Sequence, residues 1–115
     1  MQLFGIPNCN TVKKAREWLS AHGIAYEFRN FKNDNVINIA LLESWLNQQP
    51  WEKLVNRTGM TWRNLSAIEK ASIIDAPSAL ILMLEKSSII RRPILVKDGK
   101  IICLGFTEAT YEKLL

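Results

Sequence analysis

The sequence predicts an α/β (α+β) protein, a mixed four-stranded sheet whose chain is interrupted by an all-helical block. Three observations carry this. Residues 1–31 read as strand, helix and strand. Residues from about 37 to 88 show helical periodicity and almost no strand alternation. The remainder returns to apolar β-branched runs around Asp98-Gly99, a strong hairpin signal, before a last helical stretch.

Gln2 to Gly5 form a short apolar strand. A helix follows Cys9, with Val12, Ala15, Trp18 and Leu19 at helical spacing. It stops near His22-Gly23, where glycine supplies a left-handed cap. Ile24 to Phe31 alternate, with Ile24, Tyr26 and Phe28 set against Glu27 and Arg29, so a second strand is expected there. Lys32 to Asn35 are turn residues.

In the helical block, Ile39, Leu41, Leu42, Trp45 and Leu46 make one stripe, and Trp51, Leu54 and Val55 a short turn. Ser66-Ala67-Ile68-Glu69 has capping-box spacing. Asp75-Ala76-Pro77 opens a helix to Glu85, with proline in the first turn, where its missing N–H costs nothing. Pro93 to Val96 and Ile101 to Leu104 are the hairpin strands. Thr107 caps a last helix that runs to Leu114.

The βαβ opening implies two parallel strands joined by a right-handed crossover, and the hairpin adds an antiparallel pair. This order is a thioredoxin-like arrangement. The expectation is one domain, 1–115, with a helical insertion at about 37–88.

A hydrophobic share of 48% and a charged share of 23% fit a chain that buries its own core without disulfides. Cys9 and Cys103 lie far apart and suit a reducing compartment, so a cytoplasmic location is expected. No secretory signal opens the sequence, and the longest apolar run, Ala79 to Leu84, is too short to span a bilayer. The net charge of +4 permits an anionic substrate. The basic residues are scattered, with no nucleic-acid signature, so no direct nucleic-acid contact is expected.

The chemistry centres on Cys9, within Gly5-Ile6-Pro7-Asn8-Cys9-Asn10-Thr11. A cysteine between a strand and a helix start meets amides that lack intrahelical partners and about half a positive charge from the helix dipole. Both lower a thiol's pKa and make it a nucleophile. The alternative is a buried structural cysteine. Val12 stands where a second cysteine would complete a Cys-x-x-Cys pair, so a mixed disulfide at Cys9 must pass to another thiol. Cys103 is either that thiol or, between Ile102 and Leu104 in an apolar strand, a small core residue, the reading its neighbours favour.

Arg91-Arg92-Pro93 opens the third strand. The arrangement favours a cis bond at Pro93, exposing backbone for a substrate to pair with, an anion-holding Arg92, and a solvated Arg91. Arg57, on the Asn56-Arg57-Thr58-Gly59 loop, reads equally as a residue reaching over a site or as a surface charge. Lys13 stands one turn from Cys9, either lowering its pKa or facing solvent. Thr11 either caps the helix or bonds the sulfur. His22 has no metal partner at ligand spacing and reads as structural. No metal site is expected. Trp18, Trp45, Trp51 and Trp62 read mostly as packing residues, with Trp62 exposed enough for a binding surface.

Three segments resemble one family. Gly5 to Ala15 (GIPNCNTVKKA), Asn56 to Arg63 (NRTGMTWR) and Arg91 to Val96 (RRPILV) are similar to the arsenate reductase (ArsC)/Spx family, in its YffB branch. The resemblance covers nearly the whole chain. It implies a thioredoxin-like fold with a helical insertion, a nucleophilic Cys9, and anion-holding arginines at Arg92 and Arg57. In arsenate reductases the cysteine attacks arsenate, and glutathione with glutaredoxin releases arsenite. Those enzymes carry a further arginine near the end of the last strand, where this chain has Cys103-Leu104-Gly105-Phe106. The Spx branch binds the RNA polymerase α subunit, often with a Cys-x-x-Cys switch that Val12 removes.

The expected function is thus a thiol oxidoreductase with no bound cofactor. Glutathione is its co-substrate, a thiol protein such as glutaredoxin its partner, and a small oxyanion or a disulfide its substrate. The rival is a non-enzymatic, Spx-like module that binds RNA polymerase α or another protein.

Overall fold

The computed structural model of the protein describes residues 1–115. The chain forms two compact units, one of Met1–Val36 with Arg92–Leu115 and one of Ile37–Arg91.

The first unit holds the sheet, in the order β2-β1-β3-β4. β1 (Gln2–Gly5) pairs in parallel with β2 (Glu27–Asn30), and α1 (Asn10–Ala21) connects them. β3 (Ile94–Lys97) runs antiparallel to β1 and to β4 (Lys100–Leu104), with a register shift between Leu95 and Val96. Positive φ at Asp98 (51°) and Gly99 (77°) closes the hairpin in a primed turn matched to strand twist.

The core of this unit joins one sheet face to α1 and α7 (Glu108–Leu114). Leu3, Leu95 and Cys103 from the sheet meet Ala15, Trp18, Leu19 and Tyr111 from the helices. Trp18 and Phe106 both meet the Tyr111 ring edge-on, with centroids 5.4 and 4.6 Å away. The expected stripe of α1 is the buried one: Val12, Ala15, Trp18 and Leu19. Full burial of each aliphatic side chain contributes about 1.5–3 kcal/mol.

β2 is shorter than the alternation from Ile24 suggested. Its partner β1 begins at Gln2, which faces Glu27, so Ile24–Tyr26 have no strand to pair with. Ile24 and Tyr26 pack against the core without entering the ladder. Likewise β3 starts at Ile94 rather than Pro93, whose nitrogen cannot donate to a ladder.

The second unit is helical. α2 (Ile39–Gln48) buries Leu42 and Trp45 and packs on α6 (Ala76–Glu85), which buries Ala79, Leu82 and Met83. Ile39, from the expected stripe, is instead 54% exposed. α3 (Trp51–Leu54), α4 (Met60–Arg63) and α5 (Ala67–Ser72) lie between them in sequence. Ser66 and Glu69 close a full capping box on α5, and Asp75 with Ser78 does so on α6. After a 3-10 turn at Ser87–Ile89, Ile90 bridges to Val55 in antiparallel fashion.

Candidate active site

Cys9 takes the N-cap position of α1 in extended conformation (φ −111°, ψ 125°). Its carbonyl accepts the Lys13 N–H at 2.9 Å, starting the helix. Cys9 makes no conventional side-chain cap. What the Val12 and Thr11 amides favour is the charged sulfur. Partial burial pushes the Cys9 thiol up. Hydrogen bonds from the Val12 amide, the Arg92 side chain and the Thr11 amide, with the positive charge of Arg92, outweigh it and hold the thiol below its ordinary value.

Of the two roles expected for Thr11, the bond to the sulfur is the one that lowers the thiol, and it is made by the backbone N–H at the second helical position. Val12 is the donor that sequence reasoning missed. It stood out as a member of the buried stripe and as the residue replacing a second cysteine, not as a donor. The signal was available nonetheless, since a cap at Cys9 makes Val12 the third helical residue, whose amide faces the cap side chain.

Arg92 is half-buried, and its Nε is sealed from solvent. The Arg92–Pro93 bond is cis. Pro93 is buried, and its carbonyl accepts the Gly105 N–H at 2.8 Å. Lys13 is exposed and meets the site through its backbone.

Arg91, read as a solvated charge, is exposed but held. Its Nε donates to the Lys53 carbonyl at 2.8 Å and its amide to the Leu54 carbonyl at 2.7 Å. Arg57 belongs to the helical unit, with its guanidinium 5.4 Å from the Trp51 ring centroid. Its loop is pinned by Asn56, whose Oδ1 accepts from the Thr58 amide and hydroxyl at 3.1 and 2.8 Å. The loop leads into α4, which no single motif had announced. Trp62, on α4, is half-buried.

Cys103 is only 8% exposed, and its Sγ donates to the Gly105 carbonyl at 3.4 Å. Burial raises its pKa. Burial, then the Cys103 charge, also raises that of Tyr111, whose hydroxyl is buried without a hydrogen-bond partner. The two cysteines are thus shifted in opposite directions, Cys9 toward easier ionisation and Cys103 away from it. His22 stacks on Trp18 (centroids 3.8 Å apart), and its Nδ1 donates to the Trp18 carbonyl at 2.8 Å, a structural role.

A lone cysteine held by helix-start amides and an arginine, on a mixed sheet of order β2-β1-β3-β4, defines a thioredoxin-like protein with a single-thiol site. Residues 4–114 match the ArsC family, and the chain belongs to it. Among solved structures, YffB (PA3664) superposes with a TM-score of 0.89 at 38% identity, covering 99% of this chain and 97% of that one. An arsenate reductase (ArsC) related protein from Brucella melitensis gives 0.80 at 43% identity, covering 97% and 91%. The global transcriptional regulator Spx of Streptococcus agalactiae is 31% identical over 92% of this chain and 76% of its own. No helix is long and apolar enough to cross a membrane.

Proposed function

We propose that the protein is a glutathione-dependent thiol oxidoreductase related to arsenate reductase, with Cys9 as nucleophile. The observation that carries this is the depressed pKa of Cys9 under the Val12 and Thr11 amides and the Arg92 side chain. A thiol poised in this way is the attacking species in thiol–disulfide exchange.

In the proposed cycle the Cys9 thiolate attacks one sulfur of a disulfide substrate. A new S–S bond forms, and the other sulfur leaves as a thiolate that takes a proton from water. One glutathione thiolate then attacks the mixed disulfide, releasing the second half of the substrate as a thiol and leaving glutathione on Cys9. A second glutathione attacks that adduct, giving oxidised glutathione and the Cys9 thiolate. The substrate gains two electrons, and the two glutathiones lose them. Glutaredoxin would serve in place of the second glutathione.

Arg92 holds the negative charge of the attacking sulfur or of an oxyanion substrate, and Pro93 anchors the turn behind it. Arg57 is assigned the second anion-holding role, and Lys13 a share in attracting anions, both on family resemblance. The reducing chemistry fits a cytoplasmic location. No bound cofactor or metal is invoked.

The likeness to Spx supports a second reading, a non-enzymatic regulator that binds the RNA polymerase α subunit. Turnover separates the two. With glutathione and a small mixed disulfide, the oxidoreductase reading expects multiple turnovers that vanish in Cys9→Ser. A protein that turns nothing over, yet binds the α subunit equally well as Cys9→Ser, supports the regulator and removes the enzyme.

A further inference from the structure

The helical unit carries five of the seven large hydrophobic side chains exposed on this chain: Ile39, Met60, Ile68, Ile74 and Ile81; the other two are the C-terminal leucines. Ile81, on α6 and 56% exposed, stands between two clefts. One, of about 500 Å³, lies between α2 and α6, where Leu46 and Leu80 form its apolar wall and Glu43 is its charged residue. The other, of about 340 Å³, has Ile73 and Leu82 as apolar wall, with Glu69 and Glu85.

The charge on this face runs against the rest of the molecule. The chain as a whole is +4, yet three carboxylates and no lysine or arginine line the two clefts. The Lys86 charge reaches Glu69, but Lys86 lines neither cleft. Glu69 gives one oxygen to the Ser66 amide at 2.9 Å in the α5 cap. Glu43 and Glu85 are exposed at the rims.

We infer that the α2–α6 face around Ile81 is a docking surface for a basic amphipathic helix of a partner protein. Apolar side chains one turn apart on such a helix straddle the Ile81 ridge and enter the two clefts. Lysines or arginines beside them meet Glu43 and Glu85. Apolar anchors supply affinity in this mode, and the opposed charges supply register and discrimination. An exposed apolar patch rimmed by one sign of charge is the surface such a partner needs. This inference is independent of Cys9.

The test uses the full-length, nitrogen-15-labelled protein and two synthetic Leu/Lys peptides of one composition, one ordered as an amphipathic helix and one scrambled. The ordered peptide is expected to bind saturably, shift amides of α2 and α6, and weaken with salt. Ile81→Ser and the double variant Glu43→Lys/Glu85→Lys each weaken it about tenfold or more, which is about 1.4 kcal/mol. Both variants change exposed side chains, and their amide spectra report directly that they fold. The inference is overturned by no binding, by equal binding of the scrambled peptide, by shifts confined to the sheet unit, or by variants that bind unchanged. It also falls if the same amides move with protein concentration alone, which would make the occupant a second copy of this chain.

Discussion

A side-chain carbon on Gly5 would stand 2.8 Å from Cγ2 of Val12 and 3.2 Å from its Cγ1. The end of β1 and the first turn of α1 thus touch where only hydrogen fits. Val12 is fully buried and has nowhere to swing. Its amide is the leading donor to the Cys9 sulfur. A packing contact between strand and helix therefore sets the position of a hydrogen bond to the Cys9 sulfur. Gly5→Ala is expected to cost about 1–3 kcal/mol of stability as an overpacked core site. It is also expected to raise the Cys9 pKa by displacing the Val12 amide. Urea unfolding and a pH profile of Cys9 alkylation measure both, and a variant unchanged in each breaks this link.

The Cys9 shift has a stability consequence of definite sign. A thiol with a lower pKa folded than unfolded binds fewer protons in the folded state at intermediate pH. Stability from this group therefore rises with pH between the two values. It is fully present above the unfolded thiol value of about 8.5 and is lost as pH falls through the folded one. Cys103, raised by burial, acts oppositely and destabilises the fold as pH climbs past about 8.5. Comparing the parent with Cys9→Ser cancels the Cys103 contribution. The gap in urea midpoint should widen in the parent's favour up to about pH 8.5 and stay level beyond. Parallel curves over that range contradict the assigned shift.

In the proposed cycle Cys103 is expected to take no part. Its sulfur is buried, donates to the Gly105 carbonyl, and is held as a thiol. Cys103→Ala should leave glutathione-dependent turnover within about twofold of the parent while costing about 1 kcal/mol of stability, the ordinary size of a core truncation. Mass spectrometry of the native parent, alkylated briefly at neutral pH, should find one adduct, on Cys9. A turnover loss beyond the stability loss would make Cys103 a resolving thiol.

Much of this was legible from sequence because several signals were strictly local. Asp98-Gly99 specifies its own turn, Ser66 and Asp75 their own caps, and the spacing of Val12, Ala15, Trp18 and Leu19 one buried face. Cys9 was legible because Pro7 and Asn8 separate it from β1 and helical spacing begins just after it. What failed depended on partners distant in the chain. The start of β2 is set by where β1 begins, which alternation from Ile24 cannot reveal. Arg91 looked solvated because its acceptors, the Lys53 and Leu54 carbonyls, lie nearly forty residues away. The bulge between Leu95 and Val96 leaves no mark in a run of apolar residues. That Thr11 bonds the sulfur through its amide rather than its hydroxyl is not legible from residue type, since every residue but proline has an amide.

The central claim is that Arg92, together with two helix-start amides, holds the Cys9 sulfur in its charged form. The most direct measurement is the rate of Cys9 alkylation by iodoacetamide across pH, in the parent and in Arg92→Ala. The account predicts half-maximal reactivity clearly below the free-thiol value of about 8.5 in the parent, and a shift upward in the variant, short of a buried thiol because the Val12 and Thr11 amides remain. A parent profile centred at or above the free-thiol value, or an Arg92→Ala profile that overlays the parent's, would contradict it.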